Sequence, residues 1–160
     1  MSEETDLYWA QFLASLPEDS DRPRQYYEAF CFGTTKKSAK LITPLVLSGI
    51  KTATGSLQWV YEAQGRTPPK AGDYSIVTDG DGQPVCIILD TEIRIIPFDE
   101  VDEAFAWDGG EEDRTLKSWR KIYWDYIRLE CARIDRKPAR KTPLVRERFR
   151  VVYKEQLKPL

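Results

Sequence analysis

The order of apolar patterns along the chain restricts the fold more than any other feature. Residues 85–96 are dense in Ile, Val and Leu, which predicts a strand. Residues 116–131 carry apolar side chains at spacings of three and four, which predicts a long helix. Residues 145–153 alternate between apolar and polar and predict a closing strand. Strands outside a regular strand–helix–strand order indicate the α+β class, with a small curved or closed sheet decorated by helices.

The rest of the chain adds shorter elements. Apolar spacing and capping residues predict helices over 6–16, 24–32 and 34–48, and a strand over 74–78. Residues 51–61 fit either a strand or a loop that enters a helix. No repeat, linker or low-complexity tract separates these elements, so we expect one domain over residues 1–160.

Composition narrows the class of protein. Of the 160 residues, 41% are hydrophobic and 31% charged, which is typical of a folded globular chain. No apolar run approaches the ~20 residues that cross a bilayer. The first residues are acidic where a secretory signal would be basic and then apolar. We therefore expect a cytoplasmic protein with no membrane partner.

The chain contains no histidine, and this excludes several kinds of site. Ser-His-Asp and Cys-His catalysis and His-ligated metal centres are impossible, so a general base must be a carboxylate, Lys, Tyr or an activated hydroxyl. The three cysteines, Cys31, Cys86 and Cys131, form no CxxC pair. They are predicted to be reduced thiols packed in the interior.

The net charge of −2 conceals a strong asymmetry. Residues 1–113 carry a net charge of −12, and residues 114–160 carry +10. The basic part could attract phosphates, particularly if Arg146, Arg148 and Arg150 form one exposed row along the last strand. Alternatively, acidic residues of the first 113 positions pair with these arginines and neutralise them.

One candidate site is the segment from Gly49 to Thr54, where small and polar residues interrupt the regular pattern. Lys51 and Thr54 converge if the segment curls, and could act as base and nucleophile with the pKa of the lysine lowered by burial. The alternative is a solvated turn lysine beside two capping threonines. A turn lysine packs little, so we expect Lys51→Ala to change stability by no more than about 1 kcal/mol.

A second candidate is the acidic stretch 107–113 ahead of the long helix. Its two glycines allow backbone conformations that aim a carboxylate into a cleft, whereas the alternative is a solvated acidic loop with a helix cap. A divalent metal is conceivable, but no ligand pattern is present, so no cofactor is expected. A third candidate, Glu147, lies on the apolar face of the last strand and needs a structural partner or a site.

Several motifs together resemble the ASCH superfamily, in its YhfF-like branch. Gly49-x-Lys51-Thr52-x-Thr54 is similar to the GxKxxT signature of these domains, which are related in fold to RNA-binding PUA domains. The resemblance extends over residues 7–153, which is the expected core. It continues through Leu57-Gln58-Trp59, Gly72-Asp73-Tyr74-Ser75, Pro84-Val85-Cys86, residues 97–106, residues 110–119 and residues 147–153. The fold that it implies is a PUA-like curved or closed β-barrel of five to six strands decorated by helices.

The resemblance also implies a function and a site. ASCH proteins are thought to act on RNA or modified nucleosides, and similar members include an N4-acetylcytidine amidohydrolase and a metal-assisted ribonuclease. The Lys, Thr and Glu of the amidohydrolase site correspond to Lys51, Thr54 and Glu111. Glu112 is the second choice for the carboxylate, and it stands where the family usually has glycine.

Further residues complete the expected pocket. Trp59 and Tyr123 are candidates to stack on a base, and Glu147 is expected to line the pocket. The chain departs from the family at Ser56, where an Arg is usual, and at Tyr123, where a His is common. Three functions therefore stay open: hydrolysis of an amide or acyl group on a modified pyrimidine nucleoside, or cleavage of RNA with a metal; binding of RNA or a nucleotide without chemistry; and a regulatory role.

Overall fold

A computed structural model of the chain describes residues 2–23 and 25–154. Five helices and five strands follow one another in the order α1, β1, α2, β2, α3, β3, β4, α4, α5, β5. The helices are α1 (Glu3–Ser15), α2 (Lys36–Leu47), α3 (Gln58–Ala63), α4 (Glu103–Gly109) and α5 (Leu116–Arg133). The strands are β1 (Glu28–Cys31), β2 (Ala53–Leu57), β3 (Tyr74–Thr78), β4 (Pro84–Pro97) and β5 (Pro143–Lys154).

All five strands belong to one sheet, in the order β1-β3-β4-β5-β2. β1 pairs in parallel with β3, and β3 pairs antiparallel with β4. β2 pairs antiparallel with β5, from Ala53 opposite Arg148 to Leu57 opposite Leu144, and lies at an edge of the sheet. The predicted α+β class with five strands is confirmed.

The structure corrects one predicted element, resolves an ambiguous segment and adds a helix. The helix predicted over 24–32 contains instead the strand β1, which pairs in parallel with β3, with Phe30 opposite Val77 (Arg24 itself lies outside the described residues). The ambiguous segment 51–61 contains both alternatives, because β2 leads directly into α3. Helix α4 was not predicted, although its N-cap carboxylate, Asp102, accepts from the Phe105 N–H at 2.9 Å.

The described residues form two compact units, and the prediction of a single domain stays a prediction. Among the described residues, the first unit comprises residues 2–23, 25–49, 72–89 and 150–154. Its core is a set of aromatic and aliphatic side chains, namely Tyr8, Trp9, Phe12, Tyr26, Ile76 and Ile87.

The second unit comprises Ile50–Ala71 and Asp90–Phe149. Its core packs α4 and α5 against β2, the start of β5 and a 3-10 turn at Phe98–Glu100. The buried members include Ala53, Leu57, Phe98, Phe105, Trp119, Tyr123, Ile127 and Leu144. All the residues expected to form the site belong to this unit.

The cysteines behave largely as predicted. All three are free thiols, with Cys86 and Cys131 buried and Cys31 half-buried. Burial raises the pKa of Cys86 to about 12, so this thiol stays protonated and unreactive at neutral pH. No helix in the described part of the chain is long and apolar enough to cross a membrane.

Candidate functional site

The end of α4 is joined to the segment that precedes β2. The Thr52 N–H donates to the Asp108 carbonyl at 2.8 Å. Gly110 ends the helix with a left-handed backbone (φ +73°), and a Cβ added there would lie 2.8 Å from the Ile50 carbonyl oxygen and 2.9 Å from the Lys51 Cα. Glycine is therefore required at position 110 for both its conformation and its lack of a side chain.

This junction buries Lys51, which is 1% exposed. Its Nζ donates to the carbonyls of Ala53 at 2.9 Å and Gly109 at 3.2 Å, and to the Glu111 Oε2 at 3.1 Å. An ammonium group has three N–H donors, so these acceptors satisfy all of them. The cation also lies at the C-terminal end of α4, where the helix dipole favours positive charge.

The net direction of the Lys51 pKa is upward, opposite to the sequence-based expectation. Burial lowers the pKa of Lys51, because a charged group loses hydration. Interactions with the Tyr123 phenol and with the Glu111 carboxylate raise it by more. Lys51 is therefore an ammonium ion at neutral pH and has no lone pair with which to act as a base.

Among the hydrogen-bond partners of Lys51, Glu111 is the one whose side chain a ligand can reach. Its side chain is 17% exposed, and only Oε2 is engaged by Lys51. Among the residues that the structure describes, Oε1 receives no hydrogen bond. The neighbouring Glu112 is exposed and has a φ of +54°, the left-handed conformation that glycine adopts without strain.

Tyr123 connects Thr54 to the buried lysine. The hydroxyl groups of Tyr123 and Thr54 are 3.3 Å apart, and Tyr123 also interacts electrostatically with Lys51. The Tyr123 ring is 6% exposed and stacks on Trp119, with centroids 4.4 Å apart. The expectation that Tyr123 stacks on a ligand base stays a prediction.

Two tyrosines of α5 also cover the edge of β2. The Gly55 N–H donates to the Tyr123 hydroxyl at 3.2 Å, and the Leu57 N–H donates to the Tyr126 hydroxyl at 3.3 Å. An edge strand leaves alternate N–H groups without a strand partner, and these phenols supply the missing acceptors. These two hydrogen bonds also fix the position of α5 along β2, which places the Tyr123 hydroxyl beside Thr54.

Glu147 and Trp59 occupy the margins of the site. Glu147 is half-buried and lies directly opposite Thr54 in the β2–β5 pairing, so the two side chains share a face of the sheet. Trp59 is half-buried, and the Arg136 guanidinium covers one face of its ring at 3.7 Å from the centroid. A base could reach only the other face of Trp59.

The structure thus brings together Lys51, Thr54 and Glu111, while their catalytic and binding roles stay predictions. The expectation that Lys51 contributes little to stability is corrected, because the side chain is buried and fully hydrogen-bonded. The sequence analysis missed Gly110 and the Gly109 carbonyl as parts of the site. The two successive glycines before Glu111 were the available signal.

The expected exposed arginine row is wrong for two of its three members. Arg146 pairs with Glu92 at 3.0 Å, and Arg148 pairs with Asp108. Both guanidinium groups also lie over the Phe105 ring. Both carboxylates belong to the acidic first 113 residues, so the alternative of internal neutralisation applies to these two arginines. The third, Arg150, is exposed.

Metal ligands are not grouped in the described part of the chain. Among residues 2–23 and 25–154, no three or more Asp, Glu or Cys side chains are arranged to hold an ion. Three carboxylates of the acidic stretch 107–113 instead have separate partners. Asp108 pairs with Arg148, Glu111 pairs with Lys51, and Asp113 accepts from the Thr115 N–H and hydroxyl at the start of α5.

Comparisons with known proteins identify a family and a fold. A family model described as ASCH domain matches residues 28–153. The chain is similar to the crystal structure of an ASCH domain from Lactobacillus crispatus JV V101, with 31% identity, a TM-score of 0.89 and coverage of 96% of both chains. It is also similar to the crystal structure of protein EF3133 from Enterococcus faecalis V583, with 31% identity, a TM-score of 0.83 and coverage of 95% of this chain and 90% of that one.

A more distant likeness concerns the fold alone. The hypothetical protein PH0355 shares 17% identity with this chain, with a TM-score of 0.51 and coverage of 78% of this chain and 98% of that one. No curated protein matches the chain.

Proposed function

The chain belongs to the ASCH domain family, and we propose on that premise that its Lys51 site binds a pyrimidine nucleoside, free and modified or within RNA. One observation carries the proposal. A buried, fully hydrogen-bonded ammonium holds the Glu111 carboxylate by one oxygen, while the other oxygen is left without a donor among the described residues. The acceptor that a ligand would meet is therefore fixed in position before the ligand arrives.

The chemistry of this acceptor suits a cytosine-like edge. A carboxylate accepts a hydrogen bond from the exocyclic amine of cytosine. The Thr54 hydroxyl can both donate and accept, so it complements the ring nitrogen or carbonyl of the same base. Because Lys51, Tyr123 and Glu111 restrain one another, a ligand loses little free energy in ordering them.

Calorimetric titration with cytidine, N4-acetylcytidine and uridine tests binding at this site. Removing a charged acceptor costs about 1.5–3 kcal/mol, so Glu111→Gln should weaken binding of the preferred nucleoside by about ten-fold or more. The matched control is Glu103→Gln on the exposed surface of α4, which should bind like the wild type. Unchanged affinity in a folded Glu111→Gln variant, or no binding of any nucleoside at millimolar concentration, would overturn the proposal.

Hydrolysis of an acylated nucleoside is the second candidate, favoured by the hydrogen bond between Thr54 and Tyr123. In this reaction the Thr54 oxygen would attack the acyl carbon, and the hydroxyl proton would pass to a base. Charged Lys51 cannot accept this proton, which leaves Glu111 as the acceptor. Glu111 would return the proton to the exocyclic nitrogen as the bond between this nitrogen and the acyl carbon breaks. Water would then hydrolyse the Thr54 ester, releasing the carboxylic acid and restoring the Thr54 hydroxyl. Mass spectrometry of N4-acetylcytidine incubated with wild type and with Thr54→Ala decides the matter. Product from the wild type alone supports hydrolysis, whereas no product from either leaves binding as the function.

A further inference from the structure

A cavity of about 590 Å³ in the second unit contains none of the residues of the Lys51 site. It is lined by Phe98, Asp99, Arg120, Lys121, Trp124 and Arg140, and we call it the Trp124 groove. Its volume lies in the range of sites that hold small organic ligands.

Three cations line this groove and have no anionic partner in the described part of the chain. Arg120, Lys121 and Arg140 are exposed, and none of them makes a side-chain hydrogen bond or ion pair with residues 2–23 or 25–154. Other basic residues of the same third of the chain do pair, such as Arg146 with Glu92. Uncompensated positive charge around one cavity favours an anionic ligand.

The backbone holds these cations in place. Arg120 and Lys121 are four and three residues before Trp124 on α5, so the three side chains lie on neighbouring turns of one helix surface. Arg140 is tied to the opposite wall, because its carbonyl accepts from the Asp99 N–H at 3.0 Å. The groove is therefore built from a helix on one side and a hydrogen-bonded loop on the other.

Two further groups give the groove specificity beyond charge. The Trp124 ring is half-buried and packs on Phe98, with centroids 5.5 Å apart, which makes it a braced aromatic surface. Asp99 pairs with Lys141 at 3.2 Å through Oδ2, while its Oδ1 is buried and accepts no hydrogen bond from the described residues. The Asp99 side chain as a whole is 31% exposed, so a hydroxyl or amino group in the groove would reach its outer oxygen and not the buried Oδ1.

We propose that the Trp124 groove binds a nucleotide, either free or as a unit of single-stranded RNA. The phosphate contacts Arg120, Lys121 and Arg140, the base stacks on Trp124, and a sugar hydroxyl or base amino group donates to Asp99. This site does not depend on the nucleoside site at Lys51, since the two share no residue.

The test uses the full chain and four probes: inorganic phosphate, uridine, uridine monophosphate and a short oligouridine. We expect uridine monophosphate to bind at least ten-fold more tightly than phosphate or uridine. Equal binding of phosphate and uridine monophosphate would mean a simple anion site and would overturn the proposal. The oligouridine distinguishes RNA from a free nucleotide. Tighter binding of the oligomer than of uridine monophosphate identifies RNA as the source of the nucleotide, and equal binding identifies the free nucleotide. If the oligomer binds, each phosphate neutralised contributes about −0.7 to the slope of log K against log salt, so three contacts give about −2.

Variants assign the binding to this groove. The double variant Arg120→Gln/Arg140→Gln should lose at least ten-fold in affinity, while Lys117→Gln, which removes an exposed cation of α5 outside the groove, should not. Trp124→Leu should weaken uridine monophosphate more than phosphate. Retained affinity in the double variant would overturn the proposal. Loss of the same affinity in Glu111→Gln would place the nucleotide at the Lys51 site instead and would also overturn it.

Discussion

Two cationic regions of the second unit differ in how their charge is used. Lys51 is 1% exposed, and each of its three N–H donors has an acceptor within 3.2 Å. The cations of the Trp124 groove, Arg120, Lys121 and Arg140, are exposed and have no side-chain partner among the described residues. The donors of the buried cation are therefore all hydrogen-bonded within the protein, whereas the side chains of the exposed cations have no partner among the described residues.

This difference separates structural charge from charge available to a ligand. Desolvating an ammonium costs several kcal/mol unless its donors are satisfied, so Lys51 is stable only with Glu111 and the two carbonyls in place. Exposed arginines and lysines keep their hydration and contribute little to folding. Mutations in the first region should therefore change stability, and mutations in the second should change binding.

The largest expected effect comes from Lys51→Met. The substitution leaves the Ala53 and Gly109 carbonyls and the Glu111 carboxylate without their donor. Because Glu111 remains partly hydrated, we expect a loss near the low end of the range for broken buried pairs, about 3 kcal/mol. Chemical denaturation measures it. Lys117→Met at an exposed position should change stability by less than about 0.5 kcal/mol, and equal effects of the two would remove the contrast between buried and exposed cations.

Gly110→Ala should have the next largest effect. The new Cβ would contact the backbone of Ile50 and Lys51 in a left-handed conformation, and we expect a loss of about 2–3 kcal/mol. Gly65→Ala is the matched control, because Gly65 has a φ of +64° with no atom within 4 Å of the added Cβ. It should lose about 1 kcal/mol from the conformation alone. Thermal unfolding of both variants gives the contribution of close packing beside Lys51.

Tyr123→Phe should cost about 1–2 kcal/mol, because the Gly55 N–H loses its acceptor while the ring stack on Trp119 remains. Tyr126→Phe removes the equivalent acceptor of Leu57 and should cost a similar amount. Only Tyr123 also touches Thr54, so only its variant should weaken nucleoside binding in calorimetry. Weaker binding in both variants would assign the effect to the edge of β2 as a whole.

The smallest expected effect is the change with pH in the stability difference between wild type and Lys51→Met. The pKa of Lys51 is raised in the folded protein, so the unfolded chain releases this proton first as the pH rises. The advantage of wild type over Lys51→Met should be complete below about pH 10.4 and decrease above it, by at most about 1.4 kcal/mol per pH unit. Denaturant titrations of both proteins from pH 8 to 11.5 measure the difference. A difference that grows with pH would have the wrong sign.

Much of the fold could be predicted from local pattern. Helix α5 carries apolar side chains at the period that one buried helix face requires, and β4 is a dense apolar run in which residues 86–88 are all buried. The strand β1 could not be predicted, since four residues with aromatic neighbours resemble a helix until pairing with β3 fixes them. Long-range pairing overrode local preference there.

The sequence motifs single out residues of the candidate site, but they do not predict the burial of Lys51 or the direction of its pKa shift. Lys51 and Glu111, which the motifs single out, lie 3.1 Å apart, while their roles in binding or catalysis stay predictions. The direction of the Lys51 pKa shift depends on Tyr123, which lies 72 positions further along the chain. The burial of Lys51 depends on Gly110, which lies 59 positions further along. Spacing near Lys51 carries no information about either contact.

The protonation state of Lys51 is the measurement that tests the central claim most directly. NMR of the 13Cε and 15Nζ signals of Lys51, assigned by their absence in Lys51→Met, follows its titration from pH 6 to 11.5. We predict a charged ammonium throughout the neutral range and a midpoint above the ordinary value of about 10.4. A midpoint below about 8 would show a neutral amine near physiological pH, and Lys51 would then be a base rather than the cation that fixes Glu111.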